Sequence, residues 1–333
     1  AGGECGARQL SVAGEVYSKG EDAHGLLIDR RAEGILGRHR LQLQGPLSAV
    51  DHGARAVALE AFAGAWMDQL QVDVKGTAAA LGTEARAVAV AQDGGRLSTF
   101  ELAAEDAVFA LGNGATAVDV RRSSGTTSGQ TRIAVAGPIE SLADNATGLK
   151  VVTTAETGPV DLIINGARHV ASAGRRATGL ELESSAARGA ASLLVAAGGT
   201  VSAEGAGSRG IEARASGREV EIGAAAAGSV LVSGDAATGF AITSESAKWA
   251  SVDLQAAGSL LVIGNEATGI GLRSEGAGDS RTSVNVDKEW VVEGIGARGV
   301  ELTALGTGRS TVDLSLAEQA HVEGEGAALF AAS

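Results

Sequence analysis

The sequence predicts an all-β fold: a right-handed parallel β-helix of about eleven coils, each close to 30 residues long and carrying three strands. Three observations lead there. A short corner motif returns at a nearly constant interval, apolar residues two positions apart fill the same places in every copy, and glycine is abundant while aromatic residues are scarce. Self-similarity at such a period marks a stacked repeat architecture.

The corner motif is a small residue, any residue, Gly or Ala, and then two apolar residues separated by one. It reads Ala23-His24-Gly25-Leu26-Leu27-Ile28 near the start and Ala54-Arg55-Ala56-Val57-Ala58-Leu59 next. It returns from Ala85, Ala115, Ala146, Ala177, Ser208, Ala237, Ala267, Ala297 and, imperfectly, Ala327, at spacings of 29 to 31 residues. The place after the Gly or Ala holds Leu26, Val57, Val88, Val118, Leu149, Leu180, Ile211, Phe240, Ile270, Val300 and Phe330. Two places further on, every residue from Ile28 to Ala332 is again apolar, while those between are mixed, as at Lys150, Glu181, Glu212 and Glu301. Alternation with period two is the mark of a strand with one face buried.

Two more alternating segments follow in each coil. Val284-Asn285-Val286 and Trp290-Val291-Val292 are expected to stack on Val252-Asp253-Leu254 and Leu260-Leu261-Val262, and beneath Val312-Asp313-Leu314 and Ala320-His321-Val322. Three short strands separated by Gly, Ser, Asp and Asn describe a three-sided coil, and eleven coils at the strand spacing make a rod on the order of 50 Å long. The corner glycine is expected to be a small or φ-permissive residue that lets coils stack. A helical solenoid would need apolar residues at i, i+3, i+4 and i+7 over a dozen positions. The runs here are too short and too often broken by glycine. Residues 1–20 are assigned to an N-terminal cap and 21–333 to the repeats, with the stretch from His39 to Ala80, containing Pro46, Trp66 and Met67, the place where a decoration could sit.

Composition narrows the partners. The 333 residues include 49 Gly, 3 Pro and 3% aromatic residues, with 44% in the apolar set, too apolar for disorder and too poor in large side chains for a wide core. A net charge of −13 repels nucleic-acid phosphates and anionic membranes, so neither is expected as a partner. No run approaches the 18 apolar residues of a membrane helix, so no direct membrane insertion of this segment is expected. Ala1 to Ala7 have neither the basic start nor the apolar run of a signal peptide, and the single cysteine, Cys5, rules out a disulfide within the chain.

No catalytic or metal constellation stands out. Gly278-Asp279-Ser280 is followed by Arg281 rather than the glycine an oxyanion hole would use, and reads as a polar turn. The five histidines (His24, His39, His52, His169 and His321) show no ligand spacing and read as solvated surface residues. Glycoside-cleaving β-helices need carboxylates clustered on neighbouring coils. Glu181, Glu212 and Glu301 share a column, but Ala241 and Gly271 interrupt it. Tandem calcium-binding nonapeptides and Thr-x-Thr arrays are missing, as is an Arg-Gly-Asp tripeptide. The column Arg55, Arg86, Thr116, Thr147, Thr178, Arg209, Thr238, Thr268, Arg298 is expected along one edge of the rod, either as a solvated corner or as a contact for an anionic or glycan ligand.

The unit ATGIGLRSEGAGDSRTSVNVDKEWVVEGIGARGVEL, Ala267 to Leu302, resembles the coils of pertactin-like autotransporter passenger domains. The likeness runs from about residue 10 to the end and is strongest from Ala146 onward. It implies a bacterial cell-surface or secreted passenger without enzymatic activity or cofactor, exported with a C-terminal barrel that this sequence does not contain. The expected role is an adhesin binding a host-cell surface or glycan, or a rod that self-associates. A carbohydrate-active β-helix enzyme, lyase or hydrolase, and an inert stalk scaffold are the alternatives. The sequence ends at Ser333 just after a repeat corner, the place where a fragment of a longer passenger would be cut.

Overall fold

A computed structural model describes residues 8–30, 34–62, 65–94, 96–125, 129–315 and 319–332. They form twenty-nine strands and no helix, and every strand pairing is parallel. Between the two end coils each strand bonds to its equivalents one coil before and one coil after, as in Leu149 paired with Val118 on one side and Leu180 on the other. The molecule is therefore a parallel β-solenoid, and its eleven corner strands bound ten complete turns.

Three sheets run the length of the stack. The corner sheet begins at the repeated motif, with strands such as Thr116–Ser124 and Thr147–Ala155. The flank sheet follows in each coil, as at Gly129–Val135, and then the narrow sheet, with strands of three or four residues such as Ile139–Ser141. Four strands run round a bend and serve two sheets. Val160–Ala173 and Ala190–Glu204 join flank to narrow, while Arg209–Ala226 and Thr238–Ala256 join corner to flank. The register shifts near Gly166 and Gly217 mark where the backbone turns within them.

Inward columns of Val, Leu, Ile and Ala fill the bore, with Phe100, Phe240 and Trp290 the largest apolar side chains fully inside. The columns lose cover where the stack ends, so Phe330 is 41% exposed above a fully buried Val300. Stacking of coil on coil, rather than a wide globular core, is what removes apolar surface from water.

The turn between narrow and corner strands explains the repeat at its tightest point. In Gly264-Asn265-Glu266-Ala267, Gly264 has φ +145° and Glu266 φ +55°, and the Ala267 N–H donates to the Gly264 carbonyl at 3.4 Å. The left-handed place is Gly53, Gly114, Gly207, Gly296 or Gly326 in some coils, but Asp22, Glu84, Asn145, Arg176, Ala236 or Glu266 in others. Its N–H donates to a carbonyl of the next coil's turn, as Arg176 N to Ala206 O at 3.0 Å and Ala236 N to Asn265 O at 2.9 Å. The turns thus form a backbone ladder of their own, parallel to the three sheets.

The corner glycine has a different cause from φ freedom. Gly148, Gly179, Gly210, Gly239, Gly269 and Gly299 lie outside the left-handed region, and smallness alone is required there. A Cβ on Gly239 would stand 2.5 Å from Val230 Cγ1 and 2.6 Å from the Gly239-equivalent carbonyl of the next coil, Gly269 O.

Two expectations about arrangement are corrected. The flank strands pair Leu254 with Val284 and Ala256 with Val286, two residues away from the alignment of Val252-Asp253-Leu254 on Val284-Asn285-Val286. Val252 and Val312 flank Thr282 instead, a buried threonine in an inward place that breaks the apolar pattern. The stretch from His39 to Ala80 bears no decoration among its described residues. Gly34–Leu43, Leu47–Val50, Arg55–Phe62, Ala65–Val74 and Ala78–Ala80 follow one another as ordinary strands. Pro46 sits in a turn, where its carbonyl accepts from Val16 N at 3.0 Å, and the side chains of Trp66 and Met67 lie outside the described set. Of the segment assigned to a cap, residues 1–7 lie outside the described residues, and Arg8–Val12 and Val16–Lys19 already pair with the coil above.

Candidate functional site

The corner sheet brings most of the outward charge into one band. The column expected from sequence is stacked as foreseen, Arg86 against Thr116, Thr116 against Thr147, Thr178 against Arg209, and Thr268 against Arg298. It is not a displayed array. Thr116, Thr147, Thr178 and Thr268 are buried, and each arginine is bound to an acid on the same sheet. Arg55 meets Glu60 at 3.2 Å, Arg86 meets Asp119 at 3.0 Å, Arg209 meets Glu212 at 2.8 Å, and Arg298 meets Glu301 at 3.1 Å.

Two acids are gripped from both sides. Asp119 takes Arg86 from the coil before and Arg121 from its own strand, at 3.0 and 3.1 Å. Glu212 takes Arg209 and Arg214, both on its own strand. Its side chain is only 10% exposed and accepts two charge-assisted bonds, from arginines that are themselves 45% and 60% exposed. Glu181, one coil before Glu212, binds Lys150 at 2.5 Å. The stacked carboxylates that a glycosidase reading would draw on are thus tied to cations.

One open groove lies at the bend between corner and flank sheets. Its volume is about 510 Å³, and its walls are stacked small residues, including Ala186, Ser216, Gly217 and Gly276. Glu245 and Glu275, adjacent in register, rim it, and Glu275 is bound by Arg273. The groove exists because four successive coils place Ala, Gly and Ser where the chain turns.

Inside the rod at the same bend sits a charge that sequence reasoning passed over. Arg122 continues the inward series Val118, Val120 and is 1% exposed. Its Nε donates to Gln92 Oε1 at 3.0 Å, its Nη1 to the Gln130 carbonyl at 3.3 Å and to the Thr131 hydroxyl, and its guanidinium stands 6.0 Å from the Phe100 ring centre. Burial pushes its pKa down to about 9. The signal was present in the alternation itself, which places Arg122 rather than Arg121 on the inward face.

The histidines divide. His24 and His52 are exposed, and His321 faces Glu323 at 3.4 Å, but His39 is buried in an inward column above Leu70. The expectation of a solvated residue fails at His39, because strand parity turns it to the bore. Among the described residues no three His, Cys, Asp or Glu side chains converge as a metal site. Asp279 and Ser280 begin a flank strand: the Asp279 carboxylate accepts from Arg309 N at 2.9 Å, and the Ser280 hydroxyl bonds Ser310 at 3.1 Å. Both serve the stacking of one coil on the next.

The narrow sheet carries a different surface. Its outward places hold Phe109, Leu231, Leu261 and Val291, with Leu81, Leu111, Leu142 and Ile263 in the adjacent column. In strands such as Val108–Ala110 and Leu260–Ile263 every residue is apolar and period two disappears, while Glu140, Glu204, Ser233 and Glu293 keep other outward places of the same sheet polar.

No family model matches the chain, and neither does any curated protein or solved structure. The fold alone is established, a parallel β-solenoid compatible with a passenger domain or with an enzyme scaffold.

Proposed function

We propose that the chain is a non-enzymatic rod displayed on or secreted from a bacterial surface, similar to pertactin-like passenger domains, that acts by adhesion or by association of rods. The observation that carries this reading is the state of the corner sheet. Its stacked acids are held by Arg86, Arg121, Lys150, Arg209 and Arg214, which makes a rigid flat surface in place of reactive carboxylates. Contacts spread over sheet faces suit recognition of a surface or glycan better than turnover of a small substrate.

The test is display of residues 1–333 on a non-adherent bacterium, with binding to host cells and immobilised glycans measured against an unrelated rod of equal length. Binding specific to this rod supports an adhesin. Equal binding by the unrelated rod makes it a stalk.

The groove rimmed by Glu245 and Glu275 favours the second reading, a carbohydrate-active β-helix, since two carboxylates one coil apart are the minimum apparatus for glycoside cleavage. Cleavage of any of a panel of acidic polysaccharides, abolished by Glu275→Gln, would replace the first reading with this one.

A further inference from the structure

No further inference is drawn: the strongest candidate, the groove at the bend between corner and flank sheets rimmed by Glu245 and Glu275, belongs to the second reading already given and rests on stacked small residues and an acidic pair, with nothing in the structure to show what fills it.

Discussion

Gly269 lies against Val262 inside its own coil, so close that a Cβ on the glycine would stand 2.8 Å from the valine Cγ2. The same relationship holds between Gly239 and Val232 and between Gly299 and Val292, at 3.0 and 3.2 Å. Where the narrow strand supplies Ala49, Ala80 or Ala110 in that place, the corner carries Ala56, Ala87 or Ala117 instead of glycine. In these six coils corner and narrow strand trade volume, while Gly210 beside Ala203 is kept small by Val201, whose Cγ1 would stand 2.5 Å from a Cβ there. Gly269→Ala is expected to lower stability by about 1–3 kcal/mol through overpacking. Val262→Ala in the same chain should recover part of that loss despite being destabilising alone. Urea denaturation of both single variants and the double variant measures the coupling; simple additivity would show that the Gly299 carbonyl or Leu260 Cδ1, at 2.7 and 2.8 Å, sets the limit rather than Val262.

Ala236 sits at φ +55° with its side chain exposed, so it bears the left-handed strain without any packing in return. Ala236→Gly is expected to raise stability by about 0.5–1 kcal/mol, the relief of strain less the extra freedom of the unfolded glycine. Ala236→Val should lower it. A thermal midpoint unchanged in both variants would mean that the turn ladder does not hold this conformation in solution.

Glu212 and Glu275 both form ion pairs, but they differ in surroundings. Glu212 is gripped by two arginines with its carboxylate 10% exposed, and Glu275 by one arginine with its carboxylate 32% exposed. Glu212→Gln is expected to cost about 1.5–3 kcal/mol, the range for hydrogen bonds to buried charge. Glu275→Gln should stay within about 0.5 kcal/mol. Equal losses, or loss of the Glu212 effect in high salt, would place both pairs in the screened surface class.

Arg122 gives a pH signature. Burial lowers its folded pKa from the ordinary guanidinium range to about 9, so above that value the folded chain binds fewer protons than the unfolded one. Stability from this group therefore rises with pH there and is flat at its lower level below it. The difference in unfolding free energy between wild type and Arg122→Met is expected to shift in favour of wild type from pH 8 to pH 10.5. A difference constant over that range would mean that the guanidinium stays fully charged in both states.

The repeat was legible because its strongest constraint is local. Ala267-Thr268-Gly269-Ile270 spells out a buried methyl, the start of the corner strand, a close contact and a core residue in four letters. The flank register was harder, since Thr282 occupies an inward place as a buried polar residue and the apolar pattern resumes only at Val284. The Arg86–Asp119 pair escaped notice because the two are 33 positions apart in sequence and meet only through the stacking of coils, whereas Arg209–Glu212 and Arg298–Glu301 are three residues apart on one strand. The narrow face was hidden in plain sight: Leu260-Leu261-Val262-Ile263 has no polar alternation to tell the bore from the outside. The left-handed place resisted for another reason, since Arg176 and Glu266 are not residues that announce positive φ.

The turn ladder and the three sheets all direct their hydrogen bonds along the rod. A pull on the two ends of the stack would therefore load a coil's bonds together along their own length only until the outermost coil yields, and then open them one after another like a zipper. Each coil that peels away frees about 30 residues, roughly 100 Å of extended chain. A rod built this way lengthens severalfold under tension in discrete steps, absorbing mechanical work while the coils behind the break keep their shape.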